Sequence, residues 1–383
     1  MNKKEILEIR KLLAKENTRI NRISCCYVDG HKEKKTVFTQ SFYSVHEEAM
    51  FKYSDIFKKT LSGTIGKNLH TLEFPLDEEM NGEKHELLSE LVKSELNNDS
   101  LNESFFDKII EKYSYPENYL IILAHGVYDI PSKSTDNTEI FDASEYVYKF
   151  MVCSVCPVNL SKPGLCYDAE SGSFIEHLQD WMVQMPDTGF LYPAFNDRNT
   201  DIHSLLFYTK NADEPHTEFT EDILGCYPPV AAKEQKLGFN ALVEEVFGSE
   251  CDFNTVKEIH ENLNIIAEEK KEEPEPPALE KNDIKKILSN CGADEKQLEV
   301  IDNNFDTEAG KTEKVMMSTL GNLKKFEVES PDIKIRVSSD RTDLIDTMMI
   351  EGQEYIVIPI TDEVRVNGLL VRHSRKEDKG EDE

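Results

Sequence analysis

The sequence predicts an α+β fold: an N-terminal mixed α/β domain around a central sheet, a helical middle segment and a small β-rich C-terminal domain. Three observations carry this. The run Tyr119-Leu-Ile-Ile-Leu-Ala-His125 is continuously apolar, as a strand covered on both faces should be. Beyond residue 216 the apolar residues recur at helical spacing, first Phe239, Leu242, Val243, Val246 and Phe247, then Val256, Ile259, Leu263 and Ile266. Near the C-terminus, Ile333-Lys-Ile-Arg-Val337 alternates apolar with charged, the pattern of a strand with one wet face.

The elements follow in order. Ile6, Ile9, Leu12 and Leu13 fall on one helical stripe. An extended run from Ile20 to Val28 ends in Asp29-Gly30, a turn signal, and Thr36-Val37-Phe38 returns as the second arm of a hairpin. A helix is expected from Glu47 to Leu61, stopped by Gly63, then a short strand from Leu69 to Phe74 and helices over 84–96 and 102–113. After the strand at Tyr119 come an apolar run, Tyr146 to Val158, and strands over Gly189–Phe195 and Ile202–Tyr208, with an amphipathic helix expected between Phe174 and Val183. Residues 1–212 therefore read as the α+β domain and 213–270 as the helical segment. The charged, proline-rich stretch ending at Pro277 cannot continue a helix, so 271–279 reads as an exposed, stiff linker. Stripes at Ile284, Ile287 and Leu288, then Leu298, Ile301 and Phe305, predict short helices within 280–321. In the β-rich domain, 322–372, Glu351-Gly352 turns the chain into Tyr355–Ile360, and Asn367-Gly368 joins Val364–Val366 to Leu369–Val371. The polar tail 373–383 is expected to be disordered.

A chain of 383 residues with 39% apolar side chains has enough to fill more than one core. It has no run long and apolar enough for a membrane span, and its first residues are amphipathic, which together point to a cytoplasmic protein without membrane contact. The formal charge of −30 opposes contact with nucleic acid, but it is unevenly spread. Residues 1–40 carry ten Lys/Arg against five Asp/Glu, and residues 322–376 carry nine against ten. A polyanion would meet the two ends of the chain rather than its middle.

Four constellations are candidates for chemistry. Gly63-Thr-Ile-Gly66-Lys67-Asn68 has the look of a phosphate loop, but it has two residues between its glycines where such a loop has four, and asparagine where a hydroxyl should reach the metal. It reads first as a turn and second as a backbone-phosphate contact. Cys153 and Cys156 have CxxC spacing but lie in an apolar strand, where positions three apart face opposite sides, so core thiols are expected and no metal or cofactor is called for. Asp197, Arg198 and His203, with His125 in the central strand, could supply acid–base groups, or could be ordinary turn chemistry. No dinucleotide, serine-hydrolase or zinc-protease motif is present. Finally, Arg19, Arg22, Lys32, Lys34 and Lys35 on the first hairpin, with Lys67, and Lys324, Lys325, Lys334 and Arg336 on the C-terminal domain form basic sets. These suit either edge protection or phosphate contact.

Tyr27-Val-Asp-Gly30, Leu61-Ser-Gly-Thr-Ile-Gly-Lys-Asn68, Cys156-Pro-Val-Asn-Leu-Ser-Lys-Pro-Gly164 and Pro193-Ala-Phe-Asn-Asp-Arg198 together resemble an uncharacterised bacterial family, domain of unknown function 4317, over nearly the whole chain. That resemblance implies no activity. From Tyr119 to Val371 the order of elements also resembles the 37-kDa nucleoid-associated protein family, in the strand ending at His125-Gly126, the Ile223-Leu-Gly-Cys226 stretch and the closing hairpins. This second resemblance implies a nucleoid-linked homodimer that binds DNA or a nucleoid protein. The expectation is thus a non-enzymatic protein binding nucleic acid or a nucleoid partner. The alternatives are an enzyme acting on a nucleotide or phosphorylated substrate through Gly63–Lys67 and the Asp197 loop, and an acidic protein-interaction or nucleic-acid-mimic protein.

Overall fold

The computed structural model describes residues 1–133, 139–140, 146–177, 179–273, 275–308, 314–359 and 364–370. Its N-terminal part is built on one sheet. The strands are β1 (Ile20–Val28), β2 (Lys34–Ser41), β3 (Leu69–Glu73), β4 (Tyr119–Ile130), β5 (Tyr146–Leu160), β6 (Trp181–Val183), β7 (Thr188–Tyr192) and β8 (Ser204–Thr209). They lie in the order β2-β1-β4-β5-β7-β8-β3, with β6 added along the far end of β5, and every pairing is antiparallel.

The sheet is covered on both faces, and the continuous apolar runs are the reason. On β4, Tyr119, Ile121 and Leu123 enter one core while Ile122 and Ala124 enter the other. The first core lies under the helices α4 (Glu83–Lys93) and α5 (Asp99–Lys112) and a π-helical turn, Glu218–Leu224; the short helix α3 (Leu76–Asn81) leads into α4. The second lies under α1 (Lys3–Leu12) and α2 (Glu47–Thr60). Helix α1 begins with a capping box: the Asn2 side chain accepts from the amides of Lys4 and Glu5, and the Glu5 carboxylate accepts from the Asn2 amide at 2.7 Å. The first hairpin forms where expected, but its loop runs from Asp29 to Glu33, held by the Asp29 carboxylate accepting from the amides of His31 and Glu33.

One expected helix is absent. Between Phe174 and Val183 the chain forms strands: Ser173–His177 pairs with Gly164–Asp168, and Trp181–Val183 is β6. A short apolar run fits both periods, and the aromatic and β-branched residues favour the extended form once Gly172, at φ +62°, closes the turn.

The helices α6 (Ala232–Phe247), α7 (Phe253–Glu269), α8 (Lys281–Asn290) and α9 (Glu295–Glu308) share a third core, with Phe239, Leu242, Leu263, Ile284, Leu288 and Ile301 inside it. The two helical stretches on either side of the proline-rich run thus pack against each other. The end of that run is tied in: Ala278–Glu280 pairs with Lys314–Met316, and the Met317 amide donates to the Pro277 carbonyl at 3.1 Å.

The β-rich C-terminal region consists of separate two-stranded hairpins: Lys325–Glu329 with Lys334–Ser338, Asp346–Ile350 with Gln353–Val357, and Arg365–Val366 with Leu369–Leu370. Glu351-Gly352 and Asn367-Gly368 are left-handed at both positions, the backbone a two-residue hairpin turn requires. Phe326 anchors the first hairpin, its ring meeting Phe253 and His260 of α7 at 5.8 and 5.3 Å. The tail 373–383 lies outside the described residues.

Candidate functional site

The three lysines of the basic hairpin are engaged within the protein. Lys34 meets Asp107 of α5 at 2.9 Å and Glu103 at 3.9 Å, Lys35 meets Glu33 at 2.6 Å and Asp29 at 2.8 Å, and the Lys32 ammonium donates to the Glu111 carbonyl. On the C-terminal hairpin, Lys334 meets Glu329 at 2.8 Å and Arg336 meets Glu327 at 2.9 Å. Such exposed pairs add little stability, but each cancels the charge a phosphate would have to find. Arg19, Arg22, Lys67, Lys324 and Lys325 have no carboxylate within ion-pair distance among the described residues.

The loop at Gly63 spends its amides on itself. The amides of Lys67 and Asn68 donate to the Thr64 carbonyl, and that of Gly66 donates to the Leu69 carbonyl at 2.8 Å. The Asn68 side chain donates to the carbonyls of Thr209 and Lys210. No nest of unpaired amides remains for an anion. Gly63 and Lys67 line two adjoining clefts, neither of which is lined by Asp197, Arg198 or His203.

Those three residues are spent elsewhere. Asp197-Arg198 is a two-residue turn, left-handed at both positions, joining Ala194–Asn196 to Asn199–Asp201. The Asp197 amide donates to Glu5 at 2.7 Å, Arg198 pairs with Glu8 at 3.3 Å, and His203 meets Glu79 of α3 at 2.6 Å. His125 is buried on β4, bonded to Asn21 at 2.9 Å, and burial lowers its pKa to about 4.

Cys153 faces the first core and Cys156 the second, as the strand alternation predicts, and burial pushes both thiols up, out of the reactive range. All eight cysteines are unbonded, and among the described residues there is no group of three or more His, Cys, Asp or Glu able to hold a metal ion. No helix among those residues is long and apolar enough to cross a membrane.

What the sequence did not announce is an arm running from Leu160 to Met185. Its hairpin, Gly164–Asp168 with Ser173–His177, holds Leu165, Tyr167 and Phe174 in water, Leu165 being 76% exposed. Tyr167 and Phe174 are register partners with ring centroids 5.7 Å apart. β6, which follows in the chain, also exposes Trp181, Met182 and Val183; Trp181 is 56% exposed and is the chain's one tryptophan. Ser161 fastens the base of the arm, its amide donating to the Asp180 carbonyl and its hydroxyl accepting from the Asp180 amide. The charged residues of the arm are mostly acidic: Asp168, Glu170, Glu176 and Asp180 against Lys162. An amphipathic-helix reading hid this surface, because a helix would have turned part of it inward.

The family described as Domain of unknown function (DUF4317) matches residues 1–369. No curated protein matches the chain.

Proposed function

The chain belongs to that family of unknown function, and from that footing we propose that it acts by binding a protein, which it engages through the Leu160–Met185 arm. The observation that carries this reading is the cluster of Leu165, Tyr167, Phe174, Trp181 and Met182 on one exposed arm. Large apolar side chains scattered singly are normal on a surface; several within one short segment, on a hairpin and the strand that follows it, mark an interaction site. The arm also has open strand edges, which natural proteins otherwise protect.

Charge selects the kind of partner. Four carboxylates lie along the arm of a chain that carries −30. A second copy would bring the same carboxylates and the same net charge, so self-association through this face works against repulsion. A protein with an apolar groove and a rim of lysine and arginine fits on both counts. This is the acidic-interaction alternative, given a surface and a partner chemistry. Nucleoid partners, being often basic, fall within it; direct contact with nucleic acid through the first hairpin draws no support from lysines already paired with Asp107, Asp29 and Glu33.

The test is co-purification from cells of the wild type and of Tyr167→Ser/Phe174→Ser/Trp181→Ser, at low and high salt. The expected result is a basic polypeptide retained by the wild type, released by salt and absent with the variant, whose thermal midpoint is unchanged. Equal capture by both proteins, or a dimer of the chain that the variant dissolves, would overturn the reading.

A further inference from the structure

The acidic chain gathers lysines in one place that the arm does not involve. A cleft of about 470 Å³ lies where the loop at Lys67 meets the first turn of α6, and Lys67, Lys210, Lys233 and Lys236 line it. Lys210 is paired with Asp187 at 2.7 Å. Lys67, Lys233 and Lys236 have no ion-pair partner among the described residues. Asp213 is the one carboxylate in the lining, and its Oδ1 already accepts from the Lys233 amide at 3.0 Å. In a chain with 74 Asp/Glu against 44 Lys/Arg, four lysines against one carboxylate around one cleft run against the composition.

The walls of the cleft are fixed by hydrogen bonds that cross between distant segments. The Ala232 amide at the start of α6 donates to the Ala212 carbonyl at 3.0 Å. The Gln235 side chain accepts from the Met316 amide and from the Thr319 hydroxyl, each at 3.2 Å, and donates to the Val230 carbonyl. Asn68 uses both its side-chain hydrogens on the strand beneath, which fixes the root of the neighbouring Lys67. Gly321, at φ +121°, leaves open the space beside the Lys236 ammonium, which would stand 3.8 Å from a Cβ there. Lys67, Lys233 and Lys236 therefore stand on a rigid frame rather than on independent loops. The alternative is that they are ordinary solvated side chains; that leaves the excess of lysines over carboxylates in the lining without a reason.

We propose that this cleft is a binding site for a phosphate-bearing anion, held by the ammoniums of Lys67, Lys233 and Lys236. Ammonium groups only donate, so the site selects an acceptor-rich anion over neutral ligands. A ligand reaching the cleft has to overcome the field of the whole chain, which favours several phosphates acting together over one. The adjoining cleft of about 520 Å³ shares Gly321 with this one, but there Glu268, Glu273 and Glu275 offset Lys3, Lys271 and Lys324, so the excess positive charge is confined to the Lys67 cleft. The phosphates can belong to a small polyphosphorylated molecule or to a single-stranded nucleic-acid backbone.

The experiment is calorimetric titration of the full chain, at 20 to 200 mM salt, with tripolyphosphate and separately with a short single-stranded oligonucleotide. It compares the wild type with Lys67→Gln/Lys233→Gln/Lys236→Gln. A control with the same change in charge is Lys58→Gln/Lys112→Gln/Lys314→Gln, whose lysines sit in surface pairs with Asp55, Glu111 and Glu280. The expected result is binding at low salt, weakened at least tenfold in the cleft variant and less than twofold in the control. Binding of tripolyphosphate alone assigns a small phosphorylated ligand; tighter oligonucleotide binding, with a log–log salt slope of roughly −2 for three contacts, assigns a nucleic-acid backbone. No binding of either probe at 20 mM salt, or equal weakening in both variants, overturns the proposal. Failure here leaves the arm untouched, because no arm residue is altered.

Discussion

The Ser318 hydroxyl donates to the Ile65 carbonyl at 3.0 Å, joining residues 253 positions apart and tying the Gly63–Asn68 loop to the helical unit. Gly66 completes the seam. It holds φ +79°, and a Cβ there would stand 2.6 Å from atoms of the Met316 side chain. Gly66→Ala is expected to cost about 1–2 kcal/mol for the left-handed backbone, plus whatever Met316 loses in moving. Urea unfolding checks it: a midpoint equal to that of the wild type would mean the seam is looser than described.

Gly189 on β7 and Gly164 on the arm make a matched pair. A Cβ on Gly189 would stand 2.3 Å from the Cys153 carbonyl oxygen and 2.7 Å from the Thr60 methyl, whereas Gly164 has nothing within 4 Å. The Cys153 carbonyl belongs to the ladder between β5 and β7 and cannot withdraw without opening it. Gly189→Ala is expected to lower stability by ~3 kcal/mol or more, and Gly164→Ala by less than ~0.5 kcal/mol. Similar thermal midpoints for the two variants would contradict the packing of α2 on the sheet.

His125 gives a pH dependence with a definite sign. Its folded-state pKa is lowered from 6.5 to about 4, chiefly by burial, with Glu95 pulling the other way. In the unfolded chain the ring takes up a proton as the pH passes its ordinary value, so folding loses stability as the pH falls from 6.5 towards 4 and keeps it in full above 6.5. The loss reaches at most ~3 kcal/mol. In His125→Leu this part of the pH profile should flatten relative to the wild type; parallel profiles would show that the ring stays neutral for no energetic cost.

Much of the sheet was legible because strand chemistry is local. β1 runs from Ile20 to Val28 as its composition indicates, and the double-faced burial of β4 follows from an apolar run without interruption. The arm was misread as a helix because Phe174 to Val183 is too short for its period to decide. The basic hairpin was read as exposed charge because its partners, Glu103 and Asp107, sit on α5, some seventy residues further along the chain. Lys233 and Lys236 carry no signal of their own; only the fold brings α6 beside Lys67. Ion pairing and convergence are properties of the tertiary arrangement, which a linear pattern does not encode.

The single tryptophan reports on the arm directly. Trp181 is more than half exposed, so its emission should be that of an indole in water, with acrylamide quenching close to that of a free indole. Docking of a partner on the arm should shift the emission to the blue and protect it from quencher. A blue, protected emission from the purified chain alone would mean that the arm is already covered.

Photocrosslinking from position 174 in living cells asks the central question most directly, with a photoreactive residue at position 58 on the outer face of α2 as the control. The account predicts an adduct with a second, basic polypeptide from position 174 only, lost when Trp181 and Tyr167 are both replaced by serine. Adducts of the chain with itself, or the same adducts from both positions, would contradict it.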